Sequence, residues 1–148
     1  VAIEMLSAAA DLGTALKGFA AIGHNAALGL APVGHGDGWI EYRMEWRSEL
    51  TGDPERLLIA PGAIYSLLDT TCSLTPWAKL GRFAPSPTLD LRVDYLRPPR
   101  PLASLVARGE CHLTTEHLAF MRGVAHEGDP TDPVAICTGT FMFVDLKP

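Results

Sequence analysis

The segment Pro61–Thr71, PGAIYSLLDTT, sets one carboxylate, Asp69, in a run that otherwise reads as a buried helix. Desolvation makes a carboxylate a stronger base, because it disfavours the charged form. Such a group can take a proton from a water that attacks a carbonyl. It can also attack the carbonyl itself and form an anhydride. The residue types leave both roles open, beside the plainer one of a surface acid paired with an arginine. Pro61 suits a first helical turn, where its missing N–H costs nothing. Gly62 offers a free N–H at the positive end of the helix dipole, a place for an oxyanion or a phosphate. Asp69 lies about 10 Å further along by helical rise. One chain does not bring both groups onto one carbonyl, so the spacing predicts a site assembled from two chains.

Other side chains add to this set. Thr70 and Ser73 either line the same cleft or bond back to their own helix. Arg82, Arg92, Arg97 and Arg100 flank the segment 88–98, and guanidinium groups pair well with phosphates. Arg97 and Arg100 lead among them. The histidines His112, His117 and His126 have no zinc-like spacing, and His24 and His35 read as surface groups. No phosphate-loop or dinucleotide glycine motif occurs. Neither a metal nor a cofactor is expected.

The elements that must position these groups are legible in outline. Leu12, Leu16, Phe19 and Ala20 recur at helical spacing within the Ala- and Leu-rich stretch 5–30. The segment APVGHGDG, 31–38, has turn composition. In Trp39–Trp46, Ile40, Tyr42, Met44 and Trp46 share one parity and form the apolar face of a strand. SELTGDPE, 48–55, reads as a loop. Residues 61–79 are the strongest helix, apolar around much of its circumference, with Gly81 after it. Strands follow at 88–97, 102–112, 116–126 and 134–144, the middle two joined through Thr114-Thr115. Four strands in a row without helices between them point to an antiparallel sheet.

Composition bounds the function. The chain has 148 residues, 47% hydrophobic and 20% charged, and reads as one folded domain over 1–148. Its net charge of −5 disfavours nucleic acid as a partner. Asp11 and Lys17 interrupt the early apolar stretch, and no membrane span is expected. Cys72, Cys111 and Cys137 are odd in number and widely spaced. That predicts a reducing, cytoplasmic setting.

Three pieces, PGAIYSLLDTT, then TLDLRVDYLRP at 88–98, then GTFMFV at 139–144, resemble the hotdog-fold acyl-CoA thioesterases, in their phenylacetate-degradation-type branch. The resemblance spans roughly 39–144. It implies an α+β hotdog fold, a long central helix wrapped by a curled antiparallel sheet, here with an additional N-terminal helix. It implies a homodimer or dimer of dimers (a homotetramer), with active sites between subunits. The reaction implied is hydrolysis of an acyl-CoA to free acid and coenzyme A. By the same resemblance Asp69 is the catalytic carboxylate, Thr88 the hydroxyl that places water or carboxylate, and Asp53 stands where the family has Asn. Ser73, Arg82, Arg97 and Arg100 become candidates for substrate and CoA contacts. Trp39, Trp46, Trp77, Phe83, Tyr95, Phe120, Phe141 and Phe143 become candidates for an acyl tunnel. The chain departs from the family at the helix start, where Ala60-Pro61-Gly62 replaces His-Gly-Gly. Pro61 has no N–H to give a carbonyl, which leaves Gly62 as the donor. A non-catalytic acyl-CoA binder or a purely structural dimer are the alternatives.

Overall fold

The structure, a computed structural model, describes residues 11–144. Residues 5–10 of the expected helical stretch lie outside that range. The remainder of the stretch forms two helices, α1 (Leu12–Ala20) and α2 (Gly23–Leu28). Asp11 caps α1, accepting from the Thr14 N–H at 3.0 Å and the Thr14 hydroxyl at 2.8 Å. Gly23 and Gly29, both at positive φ, bound α2.

The strands are β1 (Leu30–Gly36), β2 (Trp39–Met44), β3 (Thr51–Asp53), β4 (Leu58–Ile59), β5 (Thr88–Tyr95), β6 (Leu105–Thr114), β7 (Leu118–His126) and β8 (Ala135–Met142). Six of them make one antiparallel sheet in the order β1-β2-β6-β7-β8-β5. β3 and β4 pair in a separate short ribbon. Two expectations need correction. Residues 31–36 form a strand and not a turn. β1 lies at the sheet edge, where Pro32 sacrifices no ladder bond, and its register shifts between Pro32 and Gly34. The segment 48–55 is not all loop, since Ser48–Leu50 is a 3-10 turn leading into β3.

Helix α3 (Pro61–Leu80) crosses the sheet. Gly81 ends it in the left-handed region, its N–H donating to Trp77 O at 2.9 Å. The buried residues Ile64, Leu67, Leu68, Thr71, Cys72 and Thr75 follow helical spacing and make the stripe toward the sheet. Two hydroxyls in that stripe bond back to the helix, Thr71 to Leu67 O at 2.6 Å and Thr75 to Thr71 O at 2.7 Å. The helix sits close because glycine lies beneath it. A Cβ on Gly109 would come within 2.7 Å of Thr75 Oγ1, and one on Gly123 within 3.1 Å of Cys72 Sγ, both on the helix. Gly109 and Gly123 face each other across β6 and β7.

The alternation read in Trp39–Trp46 holds through β2, where Ile40, Tyr42 and Met44 are fully buried. Tyr42 keeps its hydroxyl satisfied by donating to Leu16 O at 2.6 Å, which ties α1 to the sheet. The face of α3 away from the sheet carries Ser66, Asp69, Thr70 and Ser73, all half-buried. Among the described residues, no helix is long and apolar enough to cross a membrane.

Candidate functional site

Asp69 and Thr88 meet. The Thr88 hydroxyl donates to Asp69 Oδ1 at 2.7 Å, joining the middle of α3 to the first residue of β5. A hydroxyl held this way fixes one carboxylate oxygen and leaves the other free to accept. Both residues line a cavity of about 400 Å³ with Ser73. Ser73 itself donates to Thr70 O at 3.0 Å. The remaining lining is apolar but for Ser86, whose hydroxyl donates to Ala84 O at 2.7 Å; it comes from Phe19, Leu74, Trp77 and Phe83 and the segment Ala84–Pro87. Pro85 and Pro87 stiffen that last segment.

The cavity has an aromatic floor. Phe19 stacks on Phe83 with centroids 5.7 Å apart and meets Trp77 edge-on at 6.3 Å. Trp77 and Phe83 are 5.0 Å apart. Behind Asp69 lie two buried thiols, Cys72 and Cys137, with sulfurs 3.7 Å apart. Hydrogen bonding to Cys137 pushes the Cys72 thiol up. The same bond draws the Cys137 thiol down.

The start of α3 borders a second cavity, about 500 Å³, lined by Asp53, Ile59, Pro61, Tyr95 and Arg97 among others. The two cavities share no lining residue. Burial and the neighbouring Tyr65 raise the Tyr95 phenol, keeping it protonated, and it donates to Pro61 O at 2.9 Å. Tyr65, raised by burial and by the charge of Asp69, donates to Leu91 O at 3.0 Å. At the helix start the Gly62 N–H has no hydrogen-bond partner among the described residues. Nothing lies within 4 Å of a Cβ built on Gly62, so close packing does not explain the glycine.

The other expected contacts divide. Asp53 accepts from its own turn, the N–H groups of Glu55 at 3.1 Å and Arg56 at 2.9 Å. Arg97 spends its donors on Asp132, at 3.1 and 3.0 Å, and on Glu127, at 3.0 Å. Arg100 joins the same acids, at 3.5 Å from Glu127 and 3.9 Å from Asp132. These two arginines hold the β5–β6 connection onto the β7–β8 connection. Arg82 is exposed beside Phe83.

Of the eight aromatic residues considered for a tunnel, Trp77 and Phe83 line the Asp69 cavity and Tyr95 the second one. Phe141 is core. Phe19 was missed; its helical spacing was visible, but its partners come from residues far along the chain. Asn25 was missed in the same way. Its amide donates to Phe19 O at 3.1 Å, and its oxygen accepts from the Thr70 hydroxyl at 3.0 Å. Beside it, His24 Nε2 lies 3.3 Å from Ser66 Oγ. Among the described residues no His, Cys, Asp and Glu group is arranged to hold a metal.

Comparison with known proteins agrees with this fold. No curated protein sequence matches the chain. A Pseudomonas aeruginosa protein of solved structure is 34% identical, covering 89% of this chain and 98% of its own, with a TM-score of 0.81. A thioesterase from Haemophilus influenzae is 19% identical and superposes with a TM-score of 0.82 over 97% of this chain and 98% of its own. A variant of the phenylacetic acid degradation protein PaaI from Thermus thermophilus is 25% identical, with a TM-score of 0.69 over 80% and 96%. The sequence model of the thioesterase superfamily matches residues 59–134, half of the chain. The chain belongs to the thioesterase superfamily and has the hotdog fold of its phenylacetate-degradation-type relatives.

Proposed function

We propose that the protein hydrolyses an acyl-CoA thioester, with Asp69 as the working carboxylate in a cleft shared by two copies of the chain. The observation that carries the reading is the 2.7 Å bond from Thr88 to Asp69 inside a largely apolar cavity. Water loses a proton to Asp69 and attacks the thioester carbonyl; the C–S bond then breaks and Asp69 returns the proton to the departing sulfur, giving a carboxylic acid and the CoA thiol. In the other version Asp69 attacks first, and water then cleaves the anhydride. The Gly62 N–H, at the dipole-positive end of α3, is assigned to the oxyanion.

Two features support a shared cleft. The carboxylate and the helix start open into separate cavities of one chain. They also lie at opposite ends of β5, Thr88 beside Asp69 and Tyr95 beside Pro61. Among the described residues β5 is a sheet edge, bonded only to β8, and Leu89, Tyr95 and Leu96 are exposed at or beside it. Antiparallel pairing of β5 with a second copy brings the Thr88 end of one chain to the Tyr95 end of the other. A register with Leu91 on the two-fold axis sets Asp90 opposite Arg92 of the second copy, whereas one centred on Arg92 sets Asp90 against Asp94. Charge therefore favours the former. Arg82, exposed at the rim by Phe83, is assigned to a CoA phosphate. The acids that hold Arg97 and Arg100 make these weaker candidates.

The test is turnover of an acyl-CoA panel by wild type and Asp69→Asn. The expected result is wild-type turnover, with kcat lowered about a hundredfold or more in a variant that keeps its circular dichroism and oligomeric state. Equal rates in a folded variant overturn the assignment. Pro61 motivates a second reading, a non-catalytic acyl-CoA binder, because it removes one N–H from the helix start. That reading predicts saturable binding with no turnover anywhere in the panel.

A further inference from the structure

We infer that Phe19, on the N-terminal helix α1, is the end wall of the acyl pocket and sets the length of the acyl group the protein accepts. This rests on the thioesterase reading for the identity of the cavity's occupant. Phe19 lies outside residues 59–134, the part that the superfamily's sequence model matches. The cavity is lined by Asp69 and Thr88 and by the packed rings of Phe19, Trp77 and Phe83. Those three rings pack against each other with no room for a further ring between them, so an acyl chain stops at the floor. A cavity of about 150 Å³ holds one benzene ring. With about 400 Å³ in all, the pocket has room for a ring or a medium-length chain beside the thioester.

The wall is held firmly. Phe19 is 9% exposed, and Ala15 and Leu16 on the same helix are fully buried. Asn25 clamps the Phe19 carbonyl to the Thr70 hydroxyl, one residue from Asp69. The distance from floor to carboxylate is thereby fixed through a single side chain.

The experiment measures kcat/KM over straight-chain substrates from butyryl- to palmitoyl-CoA for wild type, Phe19→Ala, Phe19→Leu and Phe19→Trp. Shortening the wall should raise the ratio of dodecanoyl- to hexanoyl-CoA activity about tenfold in Phe19→Ala, with Phe19→Leu between. Phe19→Trp should lower the same ratio. A purely structural role scales every substrate by one factor, and that result overturns the inference. Phe19→Leu, which keeps an apolar side chain, decides the matter if Phe19→Ala does not fold. Should the wild type hydrolyse neither this series nor an arylacyl-CoA, the thioesterase reading fails. The inference is then decided by calorimetric binding of straight-chain carboxylic acids, where the same shift in preferred length is expected and its absence refutes the wall.

Discussion

Thr88 holds Asp69 through one hydrogen bond, and the account gives that bond a specific task. Thr88→Ala frees the carboxylate to rotate, and kcat should fall about tenfold or more with little change in stability, since Thr88 is exposed. Thr88→Ser keeps the hydroxyl and should restore most of the rate; steady-state kinetics of the two variants checks this. The pairing itself was not derivable from residue types. Asp69 and Thr88 are far apart in sequence, and only the family likeness set them side by side beforehand. A different residue, His126, contributes to the response to mild acid. Burial holds its imidazole below the ordinary value, against the opposing charges of Glu41 and Asp129, and its Nδ1 accepts from the Gly128 N–H at 3.1 Å. The unfolded chain therefore takes up the proton first as pH falls. Stability should be complete above about pH 6.5 and decline between the unfolded and folded values. Denaturant midpoints across that window should show the decline, and His126→Gln should flatten it.

The elements follow the sequence where one face of each is buried. The parity of Ile40, Tyr42 and Met44 foretold β2 because that face meets the core. The stripe on α3 was equally plain. β1 was not, since Pro32, Gly34 and Gly36 look like turn residues. An edge strand tolerates them because half of its backbone groups need no partner in the sheet. The close crossing of α3 over β6 was also hidden, as a glycine in sequence does not say what passes above it. That crossing gives a sharp test. Gly109→Ala places a methyl group against the buried, hydrogen-bonded Thr75 hydroxyl, with the Thr71 carbonyl at 3.3 Å. It should destabilise the fold by about 1–3 kcal/mol, measured by urea unfolding.

At the scale of the whole molecule, the single chain separates what a thioesterase needs together. Its carboxylate cavity and its helix-start cavity lie at the two ends of one edge strand. The spacing of Gly62 and Asp69 along α3 made that separation legible before any coordinates. The aromatic floor was not legible, because Phe19 reaches it from a helix outside the recognised segment. The shared cleft can be tested by complementation between Asp69→Asn and Gly62→Asp. An aspartate in the first turn suits the helix dipole, and open space surrounds a Cβ at Gly62, so the second variant should fold. Its charge opposes an oxyanion at that place. Each variant alone should be nearly inactive. Subunit exchange in an equal mixture makes half of the dimers hybrid, each with one intact site, and activity should recover to roughly a quarter of wild type. A mixture no more active than its two parents would contradict the two-chain site.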